Sequence, residues 1–176
     1  MAGYEVLSAC AHSIVDMLNR GLTTTALGAA APPTLLIQPE QVRDRTRPTP
    51  CVAVLAHRVS SVPTARTRPG RDPNQPTPLA MSLHFAVCCF GATVEDELRW
   101  TGLAARLLAQ QPILTGKLLL PAPLPDGTTV NPWSPGDRVQ IVVDDQGGDS
   151  GRAALPGLEA RPHLRYLATG LHIDMS

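Results

Sequence analysis

Apolar and polar positions recur along the chain regularly enough to place most of its elements. From Tyr4 to Arg20, Leu7, Ala11, Ile14 and Leu18 fall at i, i+4, i+7 and i+11, with Cys10 and Met17 beside them. That spacing predicts an amphipathic helix, with Gly21 as its C-cap. Thr34 to Gln38 is a short apolar run behind Pro32-Pro33 and is expected to be a strand. Cys51 to Val62 alternates loosely and is β-branched, which also predicts a strand. The clearest strand is Leu79 to Phe90, where Leu83, Phe85, Val87 and Cys89 alternate with Ser82, His84, Ala86 and Cys88. Both of its faces turn apolar toward the end, so it belongs in the middle of a sheet. Thr93 to Gln111 predicts a second helix, with Thr93 as N-cap and Glu95, Asp96 and Glu97 at the positive end. Its apolar residues (Val94, Leu98, Trp100, Leu103, Ala104, Ala105, Leu107 and Leu108) run almost all the way round. Such a helix is expected to be covered on more than one side, between the sheet and another subunit. Arg138 to Asp144 and Leu164 to Met175 complete the set as strands.

The connections are marked by proline. Arg43 to Pro50 reads as a loop, and Pro63 to Pro78 carries five prolines, a glycine and three arginines, which suits an exposed loop joining two strands. Lys117 to Pro135 is expected to be irregular, and Gln146 to Ala160 is Gly-rich, a loop or a short helix. The order is helix, short strand, strand, strand, helix, strand, strand. Few crossover helices separate the strands. This predicts one α+β domain over residues 1–176, with a mixed, mainly antiparallel sheet flanked by two main helices and long Pro-rich loops.

Composition narrows the function. The 176 residues are 43% hydrophobic and 17% charged, too apolar for a disordered chain. Zero net charge and 3% aromatics speak against nucleic acid as a partner. No run approaches the roughly 18 apolar residues of a membrane span, and the first residues lack a secretory signal pattern. The expectation is a cytoplasmic chain without direct membrane insertion. The four cysteines, Cys10, Cys51, Cys88 and Cys89, read as reduced, buried thiols rather than a disulfide framework or a zinc site.

Candidate chemistry is sparse. There is no phosphate loop, GxGxxG, HExxH or nucleophile elbow. Asp144, Asp145 and Asp149 read as a solvated acidic turn rather than a calcium loop. Ser8, His12 and Asp16 line one helix face, which does not present a nucleophile to a pocket. His84 and His172 lie on expected strands that could bring them together across the sheet, where the structural reading is favoured over a ligand or base. No catalytic, metal or cofactor-binding residue is assigned, and no cofactor is expected. Charge is uneven: seven arginines and one acid lie between Arg43 and Arg71, and six acids follow Gly136. The sharper reading is a pair of complementary surfaces at a subunit or partner interface.

One stretch carries a resemblance. Pro78-Leu79-Ala80-Met81-Ser82-Leu83-His84-Phe85 leads into Ala86-Val87-Cys88-Cys89-Phe90-Gly91. An acidic helix start follows, then Gly102-Leu103-Ala104-Ala105-Arg106-Leu107-Leu108 and Gln111-Pro112-Ile113-Leu114. This resembles the cap (tail terminator) family of phage-tail-like contractile injection systems, whose members carry a strand of the type P-L-x-L-D-L-H-Y-L-L-T-A-Y-G. Ser82 stands where members often have Asp. The family segment S-L-E-E-L-x-x-L-W is replaced here by the Gly-rich Gln146 to Gly157.

The resemblance implies a structural role and no enzyme activity. It implies a homo-oligomeric, six-fold ring on the distal end of the inner tube, touching the tube and sheath proteins and ending their polymerisation. The chain would then work as part of a phage-tail-like particle. On that reading the candidate interface residues are Trp100 as an anchor, Arg66, Arg68 and Arg71 as contacts to a partner surface, and Leu171 and Ile173. The last two lie on a terminal strand expected to pair with a sheath arm. The alternatives are a monomeric protein-binding adaptor and a small enzyme of unrecognised type, such as a hydrolase using His84 or His172.

Overall fold

The alternation in Leu79–Phe90 becomes the longest strand among the described residues, and the rest of the sheet is laid against it. The structure, a computed structural model, describes residues 5–25, 30–43, 48–61, 78–144, 155, 158 and 161–173. Helix α1 (Glu5–Thr25) is followed by β1 (Thr34–Leu36), the short helix α2 (Pro39–Arg43), β2 (Cys51–Ser61) and β3 (Leu79–Phe90). Then come helix α3 (Val94–Gln110), β4 (Ile113–Thr115), a 3-10 turn, the two-residue strands β5 (Ala122–Pro123) and β6 (Thr129–Val130), β7 (Arg138–Val143) and β8 (His163–Ile173). Six strands form one sheet in the order β1-β2-β3-β8-β7-β4, and β5 and β6 pair separately. Only β1 and β2 run parallel, and the other four pairings in the large sheet are antiparallel. The mixed, mainly antiparallel α+β fold expected from the sequence is therefore present.

Register decides which side chains share a face. Val87 of β3 stands opposite Val54 of β2 and Leu164 of β8. Leu83, Phe85, Val87 and Cys89 thus join Val52, Val54, Ile141, Tyr166 and Ala168 in a core closed by Ile14, Leu18 and Leu22 of α1 and Trp100, Ala104 and Leu108 of α3. Phe85 and Tyr166 stack there at 5.5 Å. The alternate positions Ala86, Cys88 and Phe90 enter a second core with Ala53, Leu55, Val42 and Leu158. The four cysteines are buried and outside any disulfide, and burial pushes the Cys10 and Cys89 thiols up to about 12, which removes their reactivity near neutral pH.

Several local expectations need correction. Gly21 does not cap α1, which continues to Thr25. It lies where α1 crosses α3, and a Cβ there would stand 2.8 Å from the Leu107 methyls, so the glycine serves close approach rather than termination. Helix α2 was not expected. Strand β4 follows the helix stop at Pro112, and the irregular Lys117 to Pro135 holds the small β5–β6 ladder. The Ser13 hydroxyl donates to the Ala9 carbonyl and accepts from the Leu120 N–H, while the Trp133 indole donates to the Leu120 carbonyl, which ties that segment to α1. The Pro63 to Pro78 loop and the Gln146 to Ala160 segment lie outside the described residues except for Pro78, Leu155 and Leu158. Gly170 takes a left-handed conformation (φ 86°) where the β3–β8 register shifts between Met81 and Leu83. A side chain there would run into the Arg138 carbonyl.

Candidate assembly interface

Helix α3 starts as the sequence predicts. The Thr93 hydroxyl accepts from the Asp96 N–H at 3.2 Å, and the first turn is acidic. Glu97 turns inward, 8% exposed, and pairs with Arg161, whose guanidinium lies 5.0 Å above the Phe90 ring. From this start the helix lays Trp100, Ala104 and Leu108 onto the core. Its apolar character on the other side is left uncovered: Val94 is 63% exposed and Leu98 55%. These two stand at i, i+4 and share one ridge, continued by Gly102, where an added Cβ would meet nothing within 4 Å among the described residues beyond the helix itself.

The expected interface residues divide. Trp100 is 5% exposed and belongs to the core, because α3 turns it toward the sheet and its ridge outward. Arg99 lies against its ring at 5.3 Å. Leu171 is fully buried in the same core, and Ile173 is half-buried against it. Arg66, Arg68 and Arg71 lie outside the described residues. β8 sits between β3 and β7, but β7 pairs only its Tyr166–Thr169 stretch, and Leu171–Ile173 pair with β3 alone among the described residues. The sheet ends at β1 and β4. Beside β4 runs an open groove of about 740 Å³ lined by Ile113, Thr115, Leu119, Trp133, Pro135 and Arg138, among others.

His84 and His172 do not meet. His172 pairs with Ala80 in the ladder and His84 with Leu167. His84 instead contacts Asp144 through Nδ1 at 2.8 Å and Ser60 through Nε2 at 2.9 Å. No local pattern marks this grouping, since the three residues lie on different strands or just beyond one. Their shared side of the sheet becomes visible only through the register and the β2 irregularity between Ala56 and Arg58. His57, at that irregularity, has its ring 6.2 Å from His84. Burial first, then the Arg165 and His84 charges, pull its pKa down to about 4. Among the described residues no three His, Cys, Asp or Glu side chains are grouped to hold a metal ion, and no helix is long and apolar enough to cross a membrane.

A six-stranded mixed, mainly antiparallel sheet with two long helices packed on one face, and an apolar ridge left open, is an α+β architecture. The solved structures show the same fold. A cryo-EM structure described as an extracellular contractile injection system, PVC sheath/tube terminator in extended state, superposes with a TM-score of 0.54 at 12% identity over 94% of this chain. The chain spans 56% of that terminator chain's length. The family model of the Pvc16 N-terminal domain matches residues 9–152, and the chain belongs to that family. No curated protein matches.

Proposed function

We propose that this chain is a structural terminator of a contractile injection system, a cap that ends the inner tube and holds the last sheath layer. The observation that carries the reading is the agreement of fold over almost the whole chain with a sheath/tube terminator. Membership of the Pvc16 N-terminal domain family supports it. Residues 1–176 act as one domain, since strands from early, middle and late chain join one sheet. The role asks for assembly contacts rather than a catalytic cycle, on a particle that needs no membrane-inserted part of this chain. The subunit forms a closed, hexameric ring in the cytoplasm, its partners the inner tube protein and the sheath protein.

Val94 and Leu98 supply the apolar contact between subunits, in place of Trp100. An exposed pair of this size on an otherwise amphipathic helix is the kind of surface that association covers. Arg66, Arg68, Arg71 and Ile173 are the candidate contacts to the tube or sheath, where arginine suits a carboxylate-bearing partner. The test is the mass of the purified protein by light scattering, alone and with tube protein. A ring that falls to monomers in a Val94→Ser, Leu98→Ser double variant supports the reading. A monomeric wild-type chain that never joins tube ends would remove it and leave the adaptor reading.

A further inference from the structure

We propose that Ser60, His84 and Asp144 form an acyl-transfer site that accepts small esters, a function separate from termination. The three side chains make one hydrogen-bonded line. Asp144 Oδ2 lies 2.8 Å from His84 Nδ1, and His84 Nε2 lies 2.9 Å from Ser60 Oγ. A carboxylate accepts from the Nδ1–H, which fixes the tautomer and leaves the Nε2 lone pair facing the serine hydroxyl. The acid and base are both shielded, with 11% of each side chain exposed, while Ser60 is half-buried on β2. Base and orienting acid in a low-dielectric setting, with the nucleophile nearest water, is the arrangement that serine acylation requires.

Strand β2 adds a second element. Its partner β1 reaches only to the Leu36–Val54 pair, so on that side Arg58–Ser61 meets no strand among the described residues. Alternate N–H groups of an antiparallel strand point away from its partner, here β3, and can donate to an oxyanion formed beside Ser60. His57 stays neutral near pH 7, so it puts no positive charge next to His84, and its buried Nε2 has no hydrogen-bond partner among the described residues. In the reaction Ser60 Oγ bonds to the ester carbonyl carbon while His84 Nε2 takes the hydroxyl proton. The C–O bond to the alcohol then breaks, and that proton leaves with the alcohol. Water, deprotonated by the same nitrogen, cleaves the acyl-serine to the acid and restores the hydroxyl.

The full-length chain treated with an alkyl fluorophosphonate tests the proposal. Peptide mass spectrometry should find the phosphonyl group on Ser60, with none on that peptide in Ser60→Ala. His84→Gln should slow labelling by about 100-fold and Asp144→Asn by about 10-fold or more. Circular dichroism on each variant separates lost chemistry from lost fold. Should a buried-site variant fail to fold, the wild-type labelling and its absence in the half-exposed Ser60→Ala still decide. A folded wild-type chain that leaves Ser60 unlabelled, or labels it at a rate indifferent to His84→Gln, overturns the proposal.

Discussion

Along β3 the side chains of Leu83, Phe85, Val87 and Cys89 enter the core under α1 and α3, while Ser82, His84, Ala86, Cys88 and Phe90 face the other way. The helix-covered face is apolar over its central strands. The opposite face changes along its length, from the apolar group around Ala53, Leu55 and Phe90 to the polar line of Ser60, His84 and Asp144. The first face shows what holds the sheet together. The second shows where a sheet can carry polar groups that folding does not demand. Burying a titratable group beside apolar neighbours costs stability unless it is paired, and here Asp144 is the partner of His84.

Truncation on the helix-covered face should have the largest effect. Phe85→Ala removes a fully buried ring stacked on Tyr166 and should lower stability by about 3–5 kcal/mol, read by chemical denaturation. A loss below about 1 kcal/mol would mean that this face is not the main core. The clip between the faces comes next. Glu97→Ala strips Arg161 of its carboxylate over Phe90 and should cost about 2 kcal/mol, reduced because the Arg161 side chain is 36% exposed. Glu97→Gln, which keeps the shape, should cost less.

The polar face is sharpened by acid. His57 holds its proton only below about pH 4, against 6.5 in the unfolded chain. Above pH 6.5 both states are neutral and the burial carries no proton-linked penalty. Between pH 6.5 and 4 the unfolded chain binds a proton that the folded chain refuses, so stability falls as acid is added. After discounting for solvent screening, wild type should lose about 1–2 kcal/mol more than His57→Gln across that interval. Equal losses would show that His84, Asp144, Arg165 and Arg58 leave His57 an ordinary histidine. The smallest effect on folding is expected at the outward ridge. Leu98→Ser should change monomer stability by less than about 0.5 kcal/mol while weakening self-association. A large loss of folding stability would place Leu98 in the core instead.

The elements were legible where one period ruled. Leu79–Phe90 and the Thr93 cap follow from alternation and capping chemistry that act within a few residues. The five-residue α2 and the two-residue β5 and β6 were not, because elements that short carry no period. Gly21 misled for a related reason: at the end of an apolar pattern a capping glycine and a helix-crossing glycine look alike. The direction of Trp100 was equally hidden. On a helix apolar all round, the sequence does not say which side meets the sheet, and the fold turns Trp100 in and Leu98 out. The Ser60–His84–Asp144 line depends on strand order and on the irregularity in β2, neither of which local pattern encodes.

The central claim is termination, and the direct measurement is the length and end structure of tail particles assembled with and without this protein, scored by negative-stain electron microscopy. The account predicts tubes of uniform length with sheathed, closed ends when the protein is present, and over-long, ragged or unsheathed tubes when it is not. Particles of unchanged length with intact sheath in its absence would contradict it.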